Sequence, residues 1–339
     1  MAEPGKVARL HDDLTATPAP KIQAQSRPAR HLRHARPSHM NAPIARTPGL
    51  ADYGLLLLLG AMWGASFFLI KIGVGSVPPL TVTAARLVLA SLLLLILARM
   101  MGQTLPSDPR TLALVAFTGF IGNALPFSLI SWGQVKIESG LSAILMAVMP
   151  LVTYLLAHIF THEEKLNRFK AMGVALGIGG IVVLIGPAKL ASLGQETIRQ
   201  LAVAAAAVCY GVNALLARRL SGLPPLALVA GFMLSSAAVL VPASLIVDQP
   251  WLLSPTPSAI AAITVLGLLQ TALGTVLMMV IVRRTGASFF SQINFLVPLF
   301  GVLWGFLVLA EHPSVNALIA LGMILSGIGL ARQGGARRS

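Results

Sequence analysis

One arginine lies well inside a long apolar run, where its charge could take part in chemistry. Arg86 stands in the segment VTAARLVLASLL, with apolar residues on both sides. A charge in such a run usually faces a cavity or a partner, because its transfer into hydrocarbon is costly. Its position about 9 Å from the end of its predicted helix leaves two interpretations equally open. It is either a solute-binding group, or a structural side chain that snorkels to the interface or bonds to backbone carbonyls.

Neutral polar and aromatic residues in other apolar runs could complete a solute-binding site around this charge. Ser142 shares a helical face with two methionines and a threonine, and Gln292 shares one with Ser288 and Phe295, with Asn294 at its edge. Such mixed stripes suit the wall of a cavity, although polar residues also join membrane helices by hydrogen bonds. The predicted substrate-binding residues are Trp63, Arg86, Asn123, Ser142, Tyr210, Asn213, Gln270, Gln292 and Asn294.

Two prolines are predicted to interrupt helices at corresponding places. Pro150 and Pro298 each lie inside an apolar run. Paired breaks of this kind point to a transport site, and a simple structural kink is the alternative.

Acidic residues, histidines and the single cysteine give no pattern that is typical of a catalytic or metal site. Glu164 and Glu311 fall at the ends of predicted spans, which favours helix capping or a loop salt bridge over a proton relay. His158 and His162 stand four residues apart but without an evident third ligand, and Cys209 lies in an apolar run as a packing residue. We therefore predict no enzyme activity, no cofactor and no metal site.

The composition of the chain requires lipid as the solvent for these elements. The 339 residues are 56% apolar and 11% charged, with a mean hydropathy of +0.81, so apolar residues far outnumber the sites in a soluble core. The formal charge of +14 is not a nucleic-acid signal, because the basic residues lie in the tails and between apolar runs. The predicted partners are the lipid bilayer and a small-molecule solute.

Ten apolar runs, each long enough to cross about 30 Å of hydrocarbon, follow one another along the chain. The predicted spans are 52–72, 80–98, 111–132, 138–160, 170–186, 197–217, 226–247, 258–280, 287–309 and 314–331. We place the N-terminal tail on the inner side of the membrane and leave its own charges out of the count. Twelve Lys and Arg residues then lie on the inner side and four on the outer side. Both termini are therefore predicted to be cytoplasmic.

The chain divides by composition into two tails and two halves. Residues 1–50 are basic and rich in proline, and we expect them to be disordered, with translation from Met40 as an alternative start. Residues 51–190 and 196–332 form the two predicted five-helix repeats, and 333–339 form a basic C-terminal tail.

The two halves match at an offset of 147 residues. This offset places Trp63-Gly64 on Tyr210-Gly211, Lys71 on Arg218, Glu164 on Glu311 and Gly180 on Gly327. Because each half has an odd number of spans, the second half must be inverted in the membrane relative to the first. The sequence therefore predicts an all-α integral membrane protein with ten transmembrane helices in two inverted five-helix repeats, an arrangement typical of secondary carriers.

Several short motifs, in order and spacing, resemble the EamA-like carriers of the drug/metabolite transporter superfamily. They are MWGASFFLIKIG (Met62–Gly73) followed by a proline pair and Arg86, SGLSAILMAVMP (Ser139–Pro150), Glu164-Lys165-Leu166 and a glycine-rich fifth helix, with Pro298, Glu311 and Gly327 as second-half counterparts. The resemblance implies a bacterial inner-membrane carrier that moves metabolites such as amino acids, often outward, through a cavity lined by helices 1, 3, 4, 6, 8 and 9. Two departures are Ala320 in place of a usual glycine, and Met233 at the position that matches Arg86.

The predicted function is secondary transport of a small metabolite by alternating access. The solute is expected to be amino-acid-like, or another small polar or anionic compound, with efflux left open. A non-transporting membrane receptor or scaffold is the alternative. Small residues spaced four apart, Gly173 with Gly177 and Gly322 with Ser326, predict close packing of helices 5 and 10 against an internal neighbour or a second protomer, which leaves a homodimer open.

Overall fold

The regular secondary structure of the described chain is helical. The computed structural model describes residues 47–104, 107–161, 166–186 and 194–336. We number its helices α1 Leu50–Gly73, α2 Pro79–Met100, α3 Pro109–Gln134, α4 Ser139–Phe160, α5 Arg168–Ile185, α6 Gln195–Arg218, α7 Pro225–Val247, α8 Pro257–Phe290, α9 Ile293–Leu309 and α10 Val315–Ala336. Nine of these described helices are long and apolar enough to cross a membrane, and α9 is an apolar helix of 17 residues. The predicted all-α membrane fold is confirmed. The predicted tail up to residue 46, together with His162 and Glu164, lies outside the described residues.

Proline and short polar side chains set where several helices begin. Pro79, Pro109, Pro225 and Pro257 are each the first residue of a helix, where the missing N–H has no intrahelical partner to lose. Asp108 precedes α3, and its carboxylate accepts a 2.8 Å hydrogen bond from the Thr111 N–H.

The caps of α2 and α7 come from the opposite repeat and demonstrate the inversion. The Gln103 Oε1, just after α2, accepts hydrogen bonds from the Leu226 N–H (2.9 Å) and the Ala227 N–H (3.3 Å) at the start of α7. The Asp248 Oδ2, just after α7, accepts one from the Thr81 N–H (2.8 Å) at the start of α2. The second helices of the two repeats therefore run antiparallel. We call the end of the bundle at which α1 begins the near end, and the opposite end the far end.

Glycines on α5 are used for packing inside the chain. A Cβ atom on Gly327 would lie 2.6 Å from the Gly173 carbonyl oxygen, so α5 and α10 approach each other backbone to backbone. Gly177 faces Leu151 of α4 at similarly close range. The first small-residue pair thus serves an internal contact, whereas a Cβ on Gly322 would meet open space.

The two predicted helix breaks differ. α4 is interrupted at Ala147 and Val148, directly before Pro150, as predicted. The predicted break at Pro298 is wrong, because α9 continues through that residue. The second interruption lies earlier, at Ser291 and Gln292. A separate kink lies at Gly286 (φ 83°), where glycine permits a backbone conformation that other residues rarely adopt. Membrane helices tolerate proline when neighbouring helices hold the segment.

Candidate functional site

Arg86 points into the interior of the bundle. Its side chain is buried, at 8% exposure. The Nε donates a 2.7 Å hydrogen bond to the Thr271 Oγ1 of α8, and the guanidinium carbon lies 3.8 Å from the centroid of the Phe127 ring of α3. These contacts join α2, α3 and α8 and rule against the interpretation in which the arginine snorkels to the interface.

The charge of Arg86 has only neutral partners among the described residues. A hydroxyl and an aromatic face contact it, and no carboxylate of the described chain pairs with it. A buried cation without an ionic partner is costly, and it favours the binding of an anion in its vicinity. The surroundings of Arg86 are therefore suited to an incoming negative group.

A π-helical segment of α8, Leu266–Leu273, shapes one side of this region. Within it, the Thr271 Oγ1 donates to the Leu266 carbonyl (2.7 Å) while it accepts from Arg86. Gln270 is buried, its backbone carbonyl accepts a 3.1 Å hydrogen bond from the Trp63 Nε1, and its side-chain Oε1 has no hydrogen-bond partner in the described chain. An unpaired buried acceptor is uncommon and often marks a place that a ligand or water occupies.

A second π-helical segment lies in α3, at Phe120–Ala124. Asn123 in this segment is buried, and its Nδ2 donates to the Gly119 carbonyl (3.3 Å). The Asn213 side chain of α6 lies against Gly122 with its Oδ1 unpaired in the described chain. Such segments inside α-helices occur frequently at functional sites.

The two π-helical segments are equivalent by the internal repeat. The offset of 147 residues places Asn123 on Gln270 and Phe127 on Gly274. The Tyr210 ring lies 6.4 Å from Phe127, whereas Trp63, the counterpart of Tyr210, fills the space over Gly274, with its Nε1 only 2.7 Å from where a Cβ would lie. The site is thus pseudo-symmetric in its backbone and asymmetric in its side chains.

Direct contacts and adjacent residues link six of the nine predicted site residues: Trp63, Arg86, Asn123, Tyr210, Asn213 and Gln270. Arg86 is linked to Tyr210 through the Phe127 ring, and to Gln270 through the adjacent Thr271. Asn213, one turn of α6 from Tyr210, lies against Gly122, the residue before Asn123. The contacts of the other three lie elsewhere. Ser142 is fully buried and donates to the Glu138 carbonyl of its own helix (3.1 Å), and the Asn294 Nδ2 donates to the Ser291 carbonyl (3.0 Å). Gln292 lines a crevice at the near end. Sequence reasoning missed Phe127, although its position four residues after Asn123 could have indicated a shared face.

Of the two paired histidines, only His158 belongs to the described chain. Its Nδ1 accepts a hydrogen bond from the Leu166 N–H (3.2 Å). The residues that the structure describes contain no cluster of three or more His, Cys, Asp or Glu side chains suited to a metal ion.

Glu311 and Lys71 bind the ends of α4 and α3 at the far end, and we call their contacts the far-end lock. The Glu311 carboxylate accepts hydrogen bonds from the Ser139 N–H (2.8 Å), the Ser139 Oγ (2.8 Å) and the Gly140 N–H (2.9 Å) at the start of α4. The Lys71 Nζ donates to the Gln134 (2.9 Å) and Ile137 carbonyls at the end of α3. The predicted capping role of Glu311 is confirmed, and it joins one repeat to the other.

The segment before α9 at the near end, which is equivalent to the start of α4, is less buried. Ser139 and Gly140 are buried in the far-end lock. From Pro150 and Pro298 the offset between the halves is 148 residues, and this offset matches Ser139 and Gly140 with Ala287 and Ser288, which are exposed. At the far end, partial desolvation raises the pKa of the Glu138 carboxyl, and the negative charge of Glu311 raises it further. The two ends of the bundle therefore differ in the burial of this segment.

Comparison with known proteins assigns the chain to a transporter family. The profile of the EamA-like transporter family matches residues 52–186 and again 198–332. YedA of Escherichia coli K12, described as an uncharacterized inner membrane transporter, is 26% identical over 285 residues, covering 83% of this chain and 90% of YedA. A probable terminal-alkyne amino-acid exporter of Streptantibioticus cattleyicolor is 28% identical over 278 residues, covering 80% and 90%.

A solved structure supports the same fold. It has a TM-score of 0.60 at 21% sequence identity, and the match covers 83% of this chain and 96% of that one. YoaV of Bacillus subtilis, described as an uncharacterized transporter, is 23% identical over 79% of this chain and 91% of YoaV. Together with the ten-helix architecture, the double profile match establishes that this chain is an integral membrane transporter of the EamA-like family, which belongs to the drug/metabolite transporter superfamily.

Proposed function

We propose that the protein is a secondary transporter for a small zwitterionic or anionic metabolite, with Arg86 as the group that holds the solute carboxylate. The observation that carries this proposal is the buried Arg86 guanidinium, whose partners among the described residues are all neutral. A carboxylate would supply the missing negative charge and accept paired hydrogen bonds from the guanidinium fork.

Two unpaired acceptors among the predicted site residues favour an amino-acid-like solute within this class. The Gln270 Oε1 and the Asn213 Oδ1 are both buried without a hydrogen-bond partner in the described chain. An ammonium group has three donors and no acceptor, so it is suited to such oxygens. The amino-acid exporter of Streptantibioticus cattleyicolor, at 28% identity, supports this choice of class and the outward direction.

The state of the two ends supports alternating access. The far-end lock holds the start of α4 against the second repeat, while the counterpart segment before α9 is exposed at the near end. If the near end faces the cytoplasm of a bacterial inner membrane, the protein is in a state that accepts solute from inside. Release would then require the Glu311 carboxylate to leave the start of α4.

The test is flux of a labelled panel in liposomes that contain the purified chain, with amino acids, carboxylates, amines and sugars as the compounds. We expect one amino acid or carboxylate to move. Arg86→Ala should lower its flux about tenfold or more, because a hydrogen bond to a charged group contributes about 1.5–3 kcal/mol. The flux of Arg86→Lys should lie between that of Arg86→Ala and that of the unchanged chain, since lysine keeps the charge and loses the planar fork.

Arg283→Ala is the matched control, because this arginine is exposed at the end of α8. Its flux should equal that of the unchanged chain. Equal flux in Arg86→Ala and the unchanged chain would refute the role of Arg86. Absence of flux for every compound class, combined with saturable binding of one compound, would favour a receptor over a transporter.

A further inference from the structure

A crevice at the near end lies apart from the Arg86 region. It has a volume of about 410 Å³ and lies between the ends of α1, α9 and α10. Its lining residues are Tyr53, Leu56, Leu57, Gln292, Phe295, Leu296 and Arg332. None of the six residues joined around Arg86 lines it. α10 packs along α5 and touches α4, which leaves this space between its end and the α1–α9 pair.

Three of the residues that line the crevice carry polar groups without a partner from the described chain. The Arg332 guanidinium carbon lies 5.6 Å from the centroid of the Phe295 ring and pairs with no carboxylate of the described residues. The side-chain amide of Gln292 and the hydroxyl of Tyr53 likewise form no hydrogen bond within that part of the chain. A cation and two neutral donors are the groups that bind a phosphodiester.

The rest of the crevice is apolar and open towards lipid. Leu57 and Tyr53 are 49% and 46% exposed on α1, while Leu56 and Leu296 form the wall against α9. The crevice also lies at the ends of its three helices, at the level where a bilayer places its headgroups. A basic pocket between membrane helices at this depth is typical of an anionic lipid site.

We propose that this crevice binds an anionic phospholipid. The phosphate lies on Arg332 and accepts hydrogen bonds from the Gln292 amide and the Tyr53 hydroxyl, and one acyl chain follows Leu57 and Leu296. Two other arginines at this end are less suited to the same task. Arg284 forms a 2.9 Å ion pair with Asp52, and Arg283 is exposed outside the crevice.

The test measures lipid binding to the purified full chain by native mass spectrometry. Phosphatidylglycerol and phosphatidylcholine with the same acyl chains are titrated separately. We expect several-fold stronger retention of phosphatidylglycerol, and a loss of about fivefold in its affinity in Arg332→Gln, with phosphatidylcholine unchanged. Arg332→Lys should recover most of the difference, which also excludes misfolding as the cause. Arg283→Gln is the control and should change either affinity less than twofold.

Three results would overturn the proposal. The first is equal retention of the two lipids by the unchanged chain. The second is an unchanged affinity for phosphatidylglycerol in Arg332→Gln. The third is displacement of phosphatidylglycerol by inorganic phosphate at equal concentration, which would mean that the crevice recognises phosphate and not a lipid.

Discussion

The fit of Trp63 over Gly274 depends on the absence of a side chain at residue 274. A Cβ at residue 274 would lie 2.7 Å from the Trp63 Nε1, so Gly274→Ala must displace the indole and break its hydrogen bond to the Gln270 carbonyl. Overpacking of this kind costs about 1–3 kcal/mol. We expect Gly274→Ala to lower the thermal midpoint in detergent and to lower flux.

Gly54→Ala is the matched control, because a Cβ there meets open space on the same helix as Trp63. Its midpoint and its flux should stay at the level of the unchanged chain. A Gly274→Ala protein that melts and transports like the Gly54→Ala protein would contradict the contact.

A site residue could be predicted from the sequence when its polarity differed from that of the residues around it. Arg86, Asn123 and Gln270 stand out as polar residues in apolar helices, and the structure gathers them in one region. Phe127 has no such contrast, because an aromatic ring in an apolar helix is ordinary. Gln292 was placed on a cavity wall by helical periodicity, yet the helix is interrupted at Ser291 and Gln292, so the assumed face does not persist.

Among the helices, one contact between the repeats at the far end is that of the Glu311 carboxylate with the start of α4. We expect Glu311→Gln to open the far end, because the variant replaces charge-assisted hydrogen bonds by neutral ones, each weaker by about half. A thiol introduced by Ser142→Cys, in a chain that also carries Cys209→Ala, reports on opening, since Ser142 is fully buried one turn beyond the far-end lock. Labelling by an impermeant maleimide should rise several-fold.

Two further variants make this measurement specific. Glu138→Gln removes an exposed carboxylate next to Ser139 and should leave labelling unchanged. Gly305→Ala should raise labelling without a change of charge, because its Cβ would lie 2.5 Å from the Glu311 Oε2. Equal labelling in Glu311→Gln and Glu138→Gln would show that the far end does not depend on the lock.

Helix positions were predictable to within a few residues, whereas irregular backbone was not. Long apolar runs fix the spans, and Pro150 fixes the break in α4 because it has no N–H to give to the preceding turn. The π-helical segments at Phe120–Ala124 and Leu266–Leu273 contain no residue type that requires them. They depend on tertiary contacts, such as the hydrogen bond from Arg86 to Thr271, which the sequence of either helix alone does not contain.

At the scale of the whole molecule, the inverted repeat could be predicted by counting the spans in each half. The structure adds the contacts that hold the two repeats together. An odd number of spans per half requires inversion, and the caps by Gln103 and Asp248 realise it at opposite ends. Lys71 of the first repeat and Glu311 of the second meet at the far end, where each binds a helix end of the first repeat. Charges placed at span ends thus serve contacts between helices as well as orientation in the membrane.

The orientation of this bundle in the membrane decides the direction of transport, because it determines which side of the membrane the far-end lock faces. Outside the N-terminal tail, twelve Lys and Arg residues lie at the near end and four at the far end, which predicts that the near end faces the cytoplasm. A reporter fused after Ser339 should therefore be cytoplasmic. We expect green fluorescent protein to be fluorescent there and alkaline phosphatase to be inactive. The same reporters fused after Gly186, at the end of α5, should give the reverse result. Active phosphatase after Ser339 would place the near end outside, and the exposed turn before α9 would then accept solute for uptake in place of efflux.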